Sequence, residues 1–260
     1  MEPIRQQADL ARLFDLRGRV AIVTGGTRGI GRAVAEGFAA AGVKVVVASR
    51  KADACADTQA ALEQLGAEAL GVPTHLGDLD TVEALVAATV DRFGAIDIVV
   101  NNAANALALP VGGYTEAGWD KSFAVNLKGP VFLVQHALPH LERSDHASVV
   151  NVVSAGAWLF SRDVSMYAAG KAALVSYTKS SAAALAPHGI RVNALAPGTV
   201  DTDMVRNTPP EAQQAMARAA LLGRAASAAE MVGPVIFLAS EASSFMTGQV
   251  LVIDGGMTTH

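Results

Sequence analysis

The chain has 260 residues, 51% of them hydrophobic and 17% charged, which is enough for one large α/β domain or two small ones. Its formal net charge of −4, with no basic cluster to offset it, argues against a nucleic-acid binder. No basic-then-apolar signal opens the chain and no apolar run reaches about 18 residues, so the expectation is a soluble, cytoplasmic protein without a membrane segment.

An amino-terminal arm (1–18) precedes the apolar run Val20–Val23. Next comes Thr24-Gly25-Gly26-Thr27-Arg28-Gly29-Ile30-Gly31, then a helical stretch Arg32–Ala41 that stops at Gly42, a left-handed cap, and a second strand Val43–Ala48. Strand, glycine turn and helix in one βαβ unit let backbone approach a pyrophosphate, and the helix start offers unpaired N–H groups to its charge. The alternation continues with helix Ala52–Leu65, strand Ala67–Pro73, helix Leu79–Phe93, strand Ile96–Val100 and one long helix Trp119–Leu141. It ends with strand Ser148–Val153, helix Tyr167–Leu185, strand Ile190–Ala196, a loop with a short helix (Pro210–Leu222), helix Ala228–Ser240 and strand Val250–Ile253. No linker divides it. The pattern predicts a single Rossmann-type, doubly wound domain over 1–260, with seven parallel strands and helices on both faces. Cys55, the single cysteine, excludes an internal disulfide and reads as a packed helix residue.

Ser154 to Lys171 places a hydroxyl, a phenol and an ammonium in one segment. Tyr167 and Lys171 are four residues apart and share a helix face, so the ammonium is expected to pull the phenol's pKa down from about 10 and let it exchange a proton near neutrality. Ser154 follows a buried strand, at the carboxyl end where open α/β sheets bind ligands. Pro130, four residues after Asn126, has no N–H, so the Asn126 carbonyl loses its helical partner and the helix should kink there. A freed carbonyl can hold a water.

An NAD-binding unit is expected to carry a carboxylate at the end of its second strand, on the ribose 2′-hydroxyl. Here that strand ends in Ser49-Arg50-Lys51. A 2′-phosphate would meet no repulsion; Arg50 can pair with it, Ser49 can donate to it and Arg28 can reach it from the glycine turn, which favours NADP over NAD. Asp53, the nearest acid, reads as the start of the next helix. His136 and His140 are i, i+4 but lack an acidic third ligand, and no metal site is expected.

Taken together, these motifs resemble the short-chain dehydrogenase/reductase family in its single-domain form, like carbonyl reductases and 3-oxoacyl-carrier-protein reductases. The glycine turn is similar to the family's cofactor turn, Asn101-Asn102-Ala103 to its Asn-Asn-Ala element and Tyr167-Ala-Ala-Gly-Lys171 to its Tyr-x-x-x-Lys; Pro197-Gly198 and Asp254-Gly255-Gly256 match as well. The resemblance implies hydride transfer between a nicotinamide and a carbonyl or alcohol carbon, with Asn126, Ser154, Tyr167 and Lys171 as the catalytic tetrad. It implies that Lys171 also holds the ribose hydroxyls and that the Asn126 carbonyl holds a water in a proton relay. For the cofactor it implies Gly25, Thr27, Arg28, Gly29, Ile30, Gly31, Asn102, Ala103, Tyr167, Lys171, Pro197 and Gly198, with Thr202 at the carboxamide.

Trp158, Leu159 and Phe160 after Ser154, and Met204 in a lid over 199–222, suggest an apolar substrate or, alternatively, packing under the lid or between subunits. The family also implies a homotetramer formed through the last strand and two long helices. Ala104 stands where the family has glycine, at a cost of order 1 kcal/mol if the backbone needs glycine there. His75 falls where an aspartate contacts adenine, and that contact is not carried over to it; Asp78 reads as a helix N-cap. Alternatives to an NADP(H) oxidoreductase are an NAD-dependent alcohol dehydrogenase, a dehydratase or epimerase with bound cofactor, and a redox sensor without turnover. The intact tetrad weighs against the last.

Overall fold

A computed structural model describes residues 6–159 and 163–258. Seven strands, β1 (Val20–Thr24), β2 (Lys44–Ser49), β3 (Ala69–Pro73), β4 (Ile98–Asn101), β5 (Ser148–Val152), β6 (Arg191–Pro197) and β7 (Val250–Ile253), make one sheet in the order β3-β2-β1-β4-β5-β6-β7. Every pairing is parallel. The helices are α1 (Gln7–Arg12), α2 (Gly29–Ala40), α3 (Ala52–Gln64), α4 (Leu79–Phe93), α5 (Glu116–Phe123), α6 (Gly129–Leu141), α7 (Ser165–Leu185), α8 (Asp203–Arg206), α9 (Pro210–Arg218) and α10 (Val232–Ala239).

Successive strand residues point to opposite faces and feed two cores. Ala21, Val23, Val45, Val47, Val100 and Val152 meet Val34 and Phe38 of α2 and Val235 and Leu238 of α10 on one face. Ile22, Val46, Val99 and Val149 meet Leu85 of α4, Leu133 of α6 and Ala182 of α7 on the other. Burial on both faces is why the strands are near-continuous runs of valine, isoleucine and alanine instead of alternating with polar residues. Among the described residues, no helix is long and apolar enough to cross a membrane.

The doubly wound sheet is as expected, and the differences are local. The stretch read as one helix from Trp119 to Leu141 starts at Glu116 and is broken by a π-helical turn, Ala124–Lys128, in which the Gly129 N–H reaches the Ala124 carbonyl. Pro130 explains it: without an N–H it cannot close the α-helical bond to Asn126, so the backbone widens by one residue. The Ala228–Ser240 helix is α-helical only from Val232. Its first turn, Ala228–Met231, is a 3-10 helix capped by Ser227 and Glu230. The arm contains α1 and is tied down where the Ala242 N–H donates to the Leu13 carbonyl and where Leu16 is fully buried.

From β1 the chain winds outward through β2 and β3, then returns to β4 on the other side of β1. The carboxyl ends of β1 and β4 therefore flank the crevice at which such sheets take ligands.

Candidate active site

The glycine turn joins β1 to α2 at that crevice. Gly25 and Gly29 have φ of 63° and 54°, which side chains resist, and a Cβ on Gly31 would collide with the Gly25 carbonyl and the Asn102 amide. These three glycines thus put no side chain of their own between the start of α2, where the first N–H groups have no partner inside the helix, and the groove. This is a cradle that a pyrophosphate fits. It is held from behind. Thr24 Oγ1 accepts the N–H of Asn102 at 3.0 Å and of Ala103 at 3.1 Å, while Asn102 Nδ2 donates to the Thr24 carbonyl at 2.8 Å and the Gly25 carbonyl at 3.3 Å. The Asn102 Nδ2 is thereby committed to shaping the turn. Thr24, read from the sequence only as the first residue of the glycine turn, is its partner.

The segment leaving β6 crosses the same turn. After Pro197, the Gly198 N–H donates to the Ile253 carbonyl at 3.0 Å. Thr202 lies so close that its Cγ2 would be 3.1 Å from a Cβ on Gly29, and Arg28 stands 3.6 Å from the Asp203 carboxylate. At the end of β2, Ser49 is half-buried and Arg50 exposed, with no carboxylate between them and α3; Asp53 sits in the first turn of that helix. His75 Nδ1 accepts the Gly77 N–H at 3.1 Å, and Asp78 caps α4 by accepting from the Asp80 N–H. Ala104 carries no strain, since none of the described non-glycine residues has positive φ.

Tyr167 and Lys171 lie in the first two turns of α7. Lys171 is 1% exposed, and its Nζ donates to the Val152 carbonyl at 2.7 Å, leaving two N–H groups over. Burial pulls its pKa from 10.5 to about 8. The Nζ lies 5.7 Å from the Tyr167 ring centroid. The expected acidification of the phenol does not follow: burial pushes Tyr167 up, and only a hydrogen bond with Ser154 pulls the other way. The reason is geometric, because the ammonium sits over the ring and is itself desolvated, so loss of water outweighs it. Ser154 follows β5, and its Oγ accepts the Gly156 N–H at 3.0 Å, so its own proton remains to donate.

Asn126 is fully buried in the π turn. Its Oδ1 accepts the Asn105 N–H at 3.0 Å and its Nδ2 donates to the Asn105 carbonyl at 2.8 Å, pinning the loop after β4. A phenol that carries its proton at neutral pH, a hydroxyl donor and a buried ammonium are the groups needed to protonate and steady an oxygen that is gaining charge.

A family model described as enoyl-(acyl carrier protein) reductase matches residues 25–258. Galactitol 2-dehydrogenase of Agrobacterium fabrum is 37% identical over 254 residues, 93% of this chain and 98% of that protein. A short-chain type dehydrogenase/reductase from Mycobacterium marinum superimposes with a TM-score of 0.91 at 32% identity, over 96% of this chain and all of that one. The chain belongs to the short-chain dehydrogenase/reductase family. It is an oxidoreductase acting on CH–OH groups. Another neighbour, the RhlG/NADP active-site complex of Pseudomonas aeruginosa, has a TM-score of 0.90 at 34% identity, over 95% of this chain and 98% of that one.

In this dehydrogenase, Trp158 and Leu159, 50% and 37% exposed, line a cleft of about 320 Å³ together with Val252 and Thr258. The two carboxy-terminal residues come from nearly a hundred positions away, beyond the reach of sequence patterns. Met204, on α8, is exposed and is not among the walls of this cleft. Phe160 lies outside the described residues. A second contact without a local signal ties the loop after β4 to the start of α7: the Leu109 N–H donates to the Asp163 carbonyl at 2.9 Å, and the Tyr114 hydroxyl bonds Ser165. His140 Nδ1 bonds the Arg143 guanidinium, and His136 lies beside Phe132.

The buried lysine has a measurable stability cost. Between its folded value of about 8 and the ordinary 10.5, the unfolded chain keeps a proton that the folded chain has lost, so this group adds stability as pH rises through that window. At pH 7 both states hold the proton and the folded one bears the full burial cost, about 3 kcal/mol. Lys171→Met should therefore raise the Tm of cofactor-free enzyme by several degrees at pH 7. Its advantage over the parent should shrink towards pH 10. Thermal unfolding at the two pH values checks this; an equal or lower Tm at pH 7 would contradict it.

Proposed function

We propose that this dehydrogenase is NADP(H)-dependent and moves a hydride between the nicotinamide and a carbonyl or secondary alcohol of a largely apolar substrate. The observation that carries the cofactor choice is the end of β2, where Ser49, Arg50 and Lys51 stand in place of a carboxylate. Arg50 and Ser49 would hold the 2′-phosphate, with Arg28 joining once it shares or leaves Asp203. The NADP complex of a neighbour at 34% identity supports the same choice. Gly25, Thr27, Gly29, Ile30 and Gly31 would cradle the pyrophosphate, Ala103 would flank the groove, and Pro197, Gly198 and Thr202 would border the nicotinamide.

When bound, the cofactor supplies or accepts the hydride at C4. In reduction, Tyr167 gives its phenolic proton to the substrate oxygen while Ser154 donates a hydrogen bond to it. Lys171 keeps one N–H on Val152 and turns the others to the ribose hydroxyls. Asn126 holds the loop after β4 with its side chain, leaving its carbonyl for a relay water. Residues 199–222 act as a lid, with Met204 brought over the substrate as it closes. Trp158 and Leu159 form the apolar wall. Exposed Leu221, Leu222, Phe245 and Val252 support a homotetramer joined through β7, and the protein works in the cytoplasm.

The test is absorbance at the reduced-nicotinamide band with NADPH and a panel of carbonyl compounds. Net oxidation is expected. Tight cofactor binding without oxidation would favour a dehydratase, an epimerase or a sensor.

A further inference from the structure

Two asparagines lie side by side in the apolar centre of the sheet. Asn101 and Asn151 are register partners on β4 and β5, 1% and 0% exposed, on the face where their strand neighbours Val99 and Val149 meet α6 and α7. Buried amides cost stability unless each bond is made, and an aliphatic pair would avoid that cost. The direction of each bond is fixed from one end. Thr178, fully buried on α7, donates its hydroxyl proton to the Leu174 carbonyl at 2.8 Å and so must accept from Asn151 Nδ2, 2.9 Å away. That turns Asn151 Oδ1 to Asn101, whose Nδ2 donates to it at 2.9 Å and approaches the Pro130 carbonyl at 3.5 Å. Asn101 Oδ1 is left as the one buried side-chain polar atom, among the described residues, without a partner. The arrangement is thus not the most stable filling of this space.

Its two ends explain what it holds. Thr178 is seven residues after Lys171, two turns along the same face of α7. Lys171 Nζ bonds the carbonyl of Val152, the strand residue next to Asn151. Helix α7 is therefore tied to β5 at adjacent strand positions by side chains two turns apart, which fixes its rotation about its own axis. At the other end, Pro130 stands four residues after Asn126, just past the π turn. We propose that Asn101, Asn151 and Thr178 are positioning residues, a buried amide tie that sets Lys171 and Tyr167 against Asn126. This rests on the catalytic reading of those three residues given above.

Thr178→Val keeps the side-chain shape and removes the acceptor; Thr178→Ser keeps the hydroxyl. For the valine variant, with a Tm within a few degrees of the parent, we expect kcat to fall about tenfold or more and the alkaline limb of the pH–rate profile to move. NADPH should also bind more weakly. The serine variant should restore the parent kcat and profile. A folded valine variant with parent kcat and a superimposable pH profile would overturn the proposal, as would a serine variant as impaired as the valine one. If Thr178→Val does not fold, Thr178→Ala against Thr178→Ser makes the same comparison. Lys171→Met separates the two readings: parent-like turnover in that variant would remove the catalytic assignment itself, whereas an impaired Lys171→Met beside a parent-like Thr178→Val removes only the tie.

Discussion

Tyr167→Phe is expected to lower turnover by about 10²-fold or more while leaving NADPH affinity nearly unchanged. The substitution keeps the ring against Lys171 and removes only the hydroxyl, so packing and the cofactor cradle stay as they are. Lys171, its pKa pulled to about 8, is fully buried over the Tyr167 ring with one N–H on Val152, and it is Tyr167 that shares the hydrogen bond with Ser154. Because burial raises the phenol, it keeps its proton through neutral pH. Reduction should accordingly persist into the alkaline range, while alcohol oxidation, which needs the phenol to accept a proton, should speed up as pH rises. Steady-state kinetics in both directions read all of this. Retention of more than about a tenth of parent turnover by Tyr167→Phe would remove the residue from its role.

The second large effect concerns Arg50. Removing a charge-assisted pair with the 2′-phosphate should raise the KM for NADPH by roughly 10- to 100-fold and leave that for NADH almost unaltered. Arg28 should matter less, since Asp203 at 3.6 Å already competes for its guanidinium. Kinetics of Arg50→Ala with each cofactor provide the comparison. An equal loss with both, or a parent enzyme that prefers NADH, would point to NAD as the natural cofactor.

The sheet was legible because its central strands are buried on both faces and read as near-continuous apolar runs, interrupted by residues such as Asn101, Asn151 and Asn193. The π turn was half legible. Pro130 announces the missing N–H, but no local pattern encodes that the chain widens by a residue there or that Asn126 pins Asn105, 21 positions away. The hydroxyl, phenol and ammonium were visible as residue types, yet the sign of the phenol's shift was not. Spacing gives the distance from Tyr167 to Lys171, whereas burial decides which influence is larger. Asn101 was read only as the first residue of the Asn-Asn-Ala element; its amide faces Asn151, 50 positions away, and Asn151 faces Thr178. The walls of the cleft show the same limit, since Val252 and Thr258 meet Trp158 only once β7 has closed the sheet.

The most direct measurement of the central claim is the carbonyl panel run with NADPH carrying deuterium at both C4 positions. Hydride transfer predicts an alcohol product bearing one deuterium on the former carbonyl carbon for each cofactor oxidised, and none when the label is supplied only as heavy water. One deuterium should stay on C4 of the oxidised cofactor; a product formed without cofactor-derived deuterium, or a cofactor that keeps both C4 deuteriums through turnover, would contradict it.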